Sequence, residues 1–157
     1  MSKYTVDIEQ TMSYSDMYNE PSEYTGYKNY IKTFPKFYPK AYEFLKNFAV
    51  PFERPIETLD YFWNDTGDKI IYESYYSVKG ELFEDKVVVY NDDARITLYK
   101  SDTQESIYGN TGMEKPYFIL VIDNLELHWV MDTPYEEPDL KNKVKLLLKN
   151  IKKTLKK

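Results

Sequence analysis

The chain has 157 residues, 42% hydrophobic and 30% charged, with a formal net charge of −5. That length suggests one domain with enough chain to bury a core, and the balance excludes a disordered polymer. No apolar run approaches the roughly 18 residues of a spanning helix, and the lack of cysteine excludes disulfides, thiolate metal sites and cysteine nucleophiles.

The first ten residues, MSKYTVDIEQ, are too polar for a secretory signal, so a cytoplasmic location is expected. Charge is divided unevenly. From Asp139 to Lys157 eight lysines face one aspartate, a local +7, whereas residues 1–138 carry 25 acids and 13 bases, a local −12. An acidic body repels nucleic-acid phosphates and favours a basic protein partner. Of the 17 tyrosines, eight precede residue 43. Tyrosine joins an apolar ring to a polar tip and suits surfaces that close against a partner. The abundant lysine, isoleucine and asparagine point equally to compositional bias.

Residues 1–30 scatter tyrosines around Pro21 and Gly26 and read as a loosely structured N-terminal arm. A short strand over 4–8 or a short helix over 15–19 would fit within it. Residues 31–157 read as a single α+β domain. Within FPKFYPKAYEFLKNFAVPFERP (34–55), Phe37, Ala41, Phe44, Leu45 and Phe48 recur at helical spacing. Pro39 is tolerated only in a first turn and Pro51 limits extension, so the helix is expected over 39–48. Residues 52–63 follow as a covering loop or short helix, and NDTGD (64–68) is a turn signal.

The middle of the chain reads as strands. Residues 69–78 are rich in β-branched and aromatic side chains. Residues 86–90 and 94–101 flank Asn91, Asp92 and Asp93 as a hairpin. PYFILVID (116–123) is almost continuously apolar, as a central strand would be, and LELHWV (125–130) alternates. The junction at Asp123 and Asn124 suggests a second hairpin, because asparagine tolerates left-handed backbone. At the end, Leu140, Val144, Leu147, Leu148, Ile151 and Leu155 form one apolar stripe. Asp139 in the first turn and lysines in the last suit the helix dipole, so a helix is expected over 138–155. Lys141, Lys145, Lys149, Lys152 and Lys156 lie opposite that stripe, as a solvated face. The expected fold is α+β: a mostly antiparallel sheet of four to six strands, with helices near 39–48 and 138–155 packed on it.

Chemical motifs are sparse. His128 is the single histidine, which rules out a two-histidine metal site; on an alternating strand it lies opposite Leu127 and Trp129. There is no G-x-S-x-G elbow and no glycine-rich phosphate loop. The acid pairs Glu84–Asp85, Asp92–Asp93 and Glu136–Glu137 have the residue type for glycoside hydrolysis or a hard metal ion. Neighbours in sequence splay apart in loops, however, so a charged rim is the better reading. No catalytic residue, cofactor or metal is expected.

FPKFYPKAYEFLKNF resembles a segment of the SUKH superfamily of bacterial immunity proteins, in which a proline-led helix with an aromatic–leucine pair precedes a phenylalanine and two glycines. Pro39, Phe44, Leu45 and Phe48 match, and Ala49 and Val50 stand at the glycine positions. FILVID followed by a strand with Trp129 is similar to the late hairpin of that family, with Leu125 in place of a glycine. The likeness covers about 60 residues. The resemblance implies a non-catalytic role: binding and neutralising a toxin or nuclease. The expectation is therefore an acidic inhibitor or immunity-type protein. Its binding face would draw on Glu84, Asp85, Asp92, Asp93, Glu136 and Glu137, with Tyr14, Tyr18, Tyr24, Tyr27 and Tyr30. The same physics serves a phage-encoded inhibitor of a bacterial defence nuclease that imitates nucleic-acid charge. A small enzyme or ligand-binding domain with an acidic cleft is the alternative.

Overall fold

The computed structural model describes residues 2–18, 23–101 and 111–137. Five strands form one sheet: β1 (Glu57–Trp63), β2 (Ile70–Lys79), β3 (Lys86–Asn91), β4 (Ala94–Lys100) and β5 (Tyr117–Leu127). Their order is β1-β2-β5-β4-β3, and every neighbouring pair is antiparallel. The helices are α1 (Ile8–Tyr18), α2 (Thr25–Phe37) and α3 (Pro39–Leu45), the last continued by a 3-10 turn over Lys46–Phe48. The protein is thus an α+β domain, as its pattern predicts. None of the described helices is long and apolar enough to cross a membrane.

The last described strand, β5, takes the central place because it can be buried on both sides. Residues Tyr117 through Asp123 are buried without a break. On the first face, Phe118, Leu120, Ile122, Leu125 and Leu127 join Ile70, Tyr72, Tyr76 and Val78 of β2 and Ile96 and Leu98 of β4. Helices α2 and α3 cover them with Tyr30, Phe34, Ala41 and Leu45, followed by Phe48 and Phe52. The rings of Tyr30, Phe34 and Phe52 lie 5.1–5.5 Å apart, in the range of favourable aromatic pairs. The aromatic richness of residues 34–55 is therefore core material. The second face buries Tyr75, Tyr117, Ile119 and Val121.

Two turns are chemically legible. Asn64 accepts the backbone N–H groups of Asp68 (3.1 Å) and Lys69 (3.2 Å), closing the β1–β2 hairpin where NDTGD predicts a turn. Asp92 and Asp93 both have positive φ, 52° and 68°, which gives the β3–β4 hairpin its two-residue primed turn.

Four expectations change. Within the stretch expected to be a loose arm, the described residues carry α1 and the start of α2. Asp7 accepts both the backbone and the side-chain N–H of Gln10 (each 3.0 Å), a capping arrangement that starts α1. Residues 3–7 run beside 79–83 through bonds such as Asp7 N–H to the Lys79 carbonyl (2.7 Å). Residues 57–63 are not a loop or helix but the edge strand β1. Phe37 ends α2 and is exposed, while Ala41, Leu45 and Phe48 are buried, so the helical stripe starts after Pro39. Finally, 116–130 is not a hairpin. Tyr72 pairs with Leu125 and Ser74 with Ile122, so β5 carries one extra residue, a bulge at left-handed Asn124 (φ 59°). The bulge flips the alternation by one residue, so that Leu125 and Leu127 face the same core as Phe118, Leu120 and Ile122. A hairpin would have lifted Leu125 and Leu127 off the core. The helix expected over 138–155 lies outside the described residues.

The Asp92 carboxylate also accepts the backbone N–H groups of Lys40 (2.6 Å) and Ala41 (3.2 Å), in the first turn of α3. It caps a helix whose N–H groups lie 51 and 52 residues earlier in the sequence. Asp92→Ala is expected to lower stability by about 1–2 kcal/mol, because it removes the cap and places alanine in left-handed backbone. Asp93→Asn should stay within about 0.5 kcal/mol of the parent. Urea unfolding of both variants measures the difference.

Candidate functional site

At Leu127 the chain leaves the sheet, and a buried amide decides where it goes. Asn29 of α2 is fully buried. Its side-chain N–H donates to the His128 carbonyl (3.0 Å), and its oxygen accepts the Val130 N–H (2.9 Å). The amide pairs with the chain as a neighbouring strand would. Residues 128–137 are thereby steered across α2 to the edge of β1. There the Glu137 carboxylate accepts the Trp63 N–H (3.1 Å).

This path assembles an aromatic cluster. The Tyr135 ring lies 5.1 Å from that of Trp129 and 5.5 Å from that of Trp63. All three side chains are half-buried, each keeping part of its surface in solvent. Carboxylates flank them on the same segments. The Asn64 side chain donates to Asp68 (3.1 Å) and Glu126 (3.2 Å), drawing the β1–β2 turn and the end of β5 together. Asp65 on that turn, and Asp132, Glu136 and Glu137 on the returning segment, are exposed.

Beneath this surface lies Asp60, 8% exposed. The Tyr24 hydroxyl donates to its carboxylate. Gly26 makes room for this approach, since a Cβ there would sit 2.7 Å from Asp60 Oδ1 and 2.8 Å from the Tyr24 ring and would displace them. Burial raises the Asp60 pKa above the usual carboxylate value. The Tyr135 hydroxyl is buried beside the Asp60 carboxylate. Burial first, and the Asp60 charge second, push that phenol well above its ordinary range.

The residues proposed from sequence are dispersed. Glu136 and Glu137 belong to this end. Glu84 and Asp85 sit elsewhere, 3.8 Å from Lys3 and Lys100 respectively. Asp92 caps α3, and Asp93 is exposed at the far hairpin. Tyr14, Tyr27 and Tyr30 are buried and unavailable to a partner. Their hydroxyls bond internally, Tyr14 to the Thr111 carbonyl (2.6 Å), Tyr27 to the Glu53 carbonyl and Tyr30 to the Tyr76 hydroxyl (2.9 Å). Helical spacing turned these rings inward, and it was legible in Tyr27, Tyr30 and Phe34 (i, i+3, i+7). Tyr24 is half exposed, and the Tyr18 side chain lies outside the described residues. His128 falls just beyond β5, its ring 5.1 Å from that of Phe37, so the alternating strand expected to carry it stops one residue short. Sequence reasoning missed Trp63, Trp129, Tyr135, Asp65, Asp68 and Glu126. The signal for them was the presence of both tryptophans next to acidic turns.

Among the described residues, no group of three or more His, Cys, Asp or Glu side chains is arranged to hold a metal ion. Fold and site together define an antiparallel α+β domain with one acidic, aromatic end. Comparison with protein-family models, curated proteins and solved structures finds no match.

Asn29→Ala would leave the His128 carbonyl and the Val130 N–H without their buried partner. A loss of about 2–4 kcal/mol is expected, with faster amide exchange over 128–137 than over β2. Folding raises the pKa of Asp60, so its contribution is most favourable when protonated and is lost as pH rises through the folded value. Asp60→Asn keeps an acceptor for Tyr24 without the charge. It should raise the melting temperature at pH 7, and the gain should shrink as pH falls. A pH series of thermal melts of both proteins reads this directly.

Proposed function

We propose that this protein is a non-catalytic inhibitor or immunity-type protein that occupies a basic surface of a toxin or nuclease. The observation that carries the reading is the acidic end, where carboxylates rim the half-buried rings of Trp63, Trp129 and Tyr135. Binding surfaces place aromatic anchors at the centre and charge at the rim. The carboxylates steer a basic partner in, and the rings provide apolar contact. A phage-encoded inhibitor of a defence nuclease would use this face in the same way.

The resemblance of residues 34–48 to the SUKH immunity segment supports the same reading. Ala49, at a position where that family carries glycine, has left-handed backbone (φ 56°), the conformation glycine favours. The alternative, an enzyme with an acidic cleft, calls for convergent buried carboxylates in a pocket. The hollow lined by Thr5, Asp7, Lys79, Gly80, Glu81 and Pro116 brings two acids together. Asp7 there is engaged as the α1 cap and Glu81 is exposed, so this hollow favours the binding reading.

The test is affinity capture from a cell lysate, followed by association rates of the captured protein against ionic strength. The rate should fall as salt rises. Asp65→Asn, Asp132→Asn and Glu136→Gln together should slow association by about 0.2–1 kcal/mol per lost pair, and leave dissociation nearly unchanged. A rate flat in salt and unaffected by the triple variant would sink the proposal.

A further inference from the structure

The two edges of the sheet are treated differently. At β1 the register shifts between Asp60 and Trp63, and the Trp63 N–H is taken by Glu137. A bulge and a covering segment are standard ways to stop an edge from pairing. At the other edge, β3 runs regularly against β4 through six consecutive pairs, from Lys86↔Tyr99 to Asn91↔Ala94.

The turn fixes which backbone groups of β3 point outward. A two-residue hairpin is closed by a hydrogen-bonded pair, here Asn91 and Ala94. Alternation then directs the N–H and C=O groups of Val87, Val89 and Asn91 to β4, and those of Lys86, Val88 and Tyr90 away from it. The Lys100 N–H to Asp85 carbonyl bond (3.2 Å) keeps the same phase. Among the described residues, no hydrogen bond reaches the outward backbone of Val88 or Tyr90. Their side chains are 41% and 63% exposed, two apolar groups on an edge that no described strand covers.

We propose that the β3 edge pairs with the β3 edge of a second copy of this chain, antiparallel about a two-fold axis at Val88. The strand is its own complement in that register. Val88 meets Val88 of the copy, and each Tyr90 ring lies opposite the aliphatic stem of Lys86 of the copy, whose ammonium sits over the Tyr99 ring of its own chain (5.8 Å). On the other side of the sheet Val87 meets Val89. No like charges oppose one another along the ladder. Just beyond it Glu84 would face Asp92, but Glu84 is paired with Lys3 and Asp92 is held by the α3 N–H groups, so their repulsion is already offset. The result is one continuous sheet across two chains. Because β1 is the opposite edge, the acidic ends lie at the two outer sides of the pair.

A single edge buries less than the roughly 1,200 Å² of a tight complex, so pairing should depend on concentration. Light scattering should show the mass rising from one chain toward two as protein is raised to about 1 mM, where even a millimolar Kd populates the dimer. Val88→Lys places two cations at the axis and should hold the mass at one chain, with the circular dichroism of the parent. The chain has no cysteine, so Val88→Cys supplies one defined thiol. Antiparallel bonded neighbours have Cα atoms about 5.5 Å apart, within disulfide reach. Val88→Cys should therefore oxidise to a covalent dimer about tenfold faster than Ile8→Cys, a comparably exposed site on α1. A mass of one chain throughout overturns the proposal. So does a dimer that survives Val88→Lys, or equal oxidation of the two cysteine variants. If Val88→Lys fails to fold, the cysteine pair still decides. None of these measurements involves the macromolecular partner, so the two proposals stand or fall separately.

Discussion

One buried side-chain amide organises the acidic, aromatic end of this molecule. Asn29 is enclosed by α2, β2 and the chain that follows β5, and its oxygen and nitrogen satisfy two backbone groups of that chain. A buried amide left without partners is costly, so amide and backbone constrain each other. With residues 128–130 held there, Trp129 and Tyr135 are carried onto the β1 edge beside Trp63. The acidic rim follows, since Glu136 and Glu137 are the next residues of the same segment.

The sheet accommodates polar groups in its buried strands by giving each a specific partner. Asp123, in the most buried strand, is met by Arg95 through two bonds of 2.7 Å, a bidentate pair across the β4–β5 ladder. Glu73 accepts the hydroxyls of Tyr61 and Tyr75. Asp60 accepts that of Tyr24. Tyrosine serves this structure as a donor that brings its own apolar bulk, and that explains much of its abundance. Tyr30 and Tyr76 show the same economy, with their hydroxyls bonded to each other and Tyr76 also donating to the Phe52 carbonyl (2.8 Å). Burial pushes both phenols up, so they remain neutral donors at any ordinary pH.

Acidic residues, by contrast, divide between structural and surface duty according to their neighbours. Asp7 and Asp92 cap helices; Asp68 binds within its turn; Asp65, Asp132 and Glu136 face solvent. Only the last kind is available to steer a partner, and in the described structure the aromatic end holds three such acids near exposed ring surface. Net charge is therefore a property of the whole chain, and the fold selects which acids face solvent.

The sequence by itself determined the α+β class, the helix after Pro39, the β3–β4 hairpin and the central strand, because each follows from short-range rules of period, turn chemistry and proline geometry. It also predicted an acidic body. Tertiary structure alone decided the rest. The alternation of β5 breaks at Asn124, and only pairing with β2 shows whether the chain bulges or turns back. Residues 57–63 become a strand because β2 offers an edge. Tyr14, Tyr27 and Tyr30 look like surface anchors in a list of residues and are core once α1 and α2 dock. The acidic, aromatic end joins residues 60–68 to residues 126–137, far apart in sequence, and their meeting depends on a buried amide at position 29. Contacts at such separations leave no local signature, because the free energy that selects them comes from burial of the assembled core.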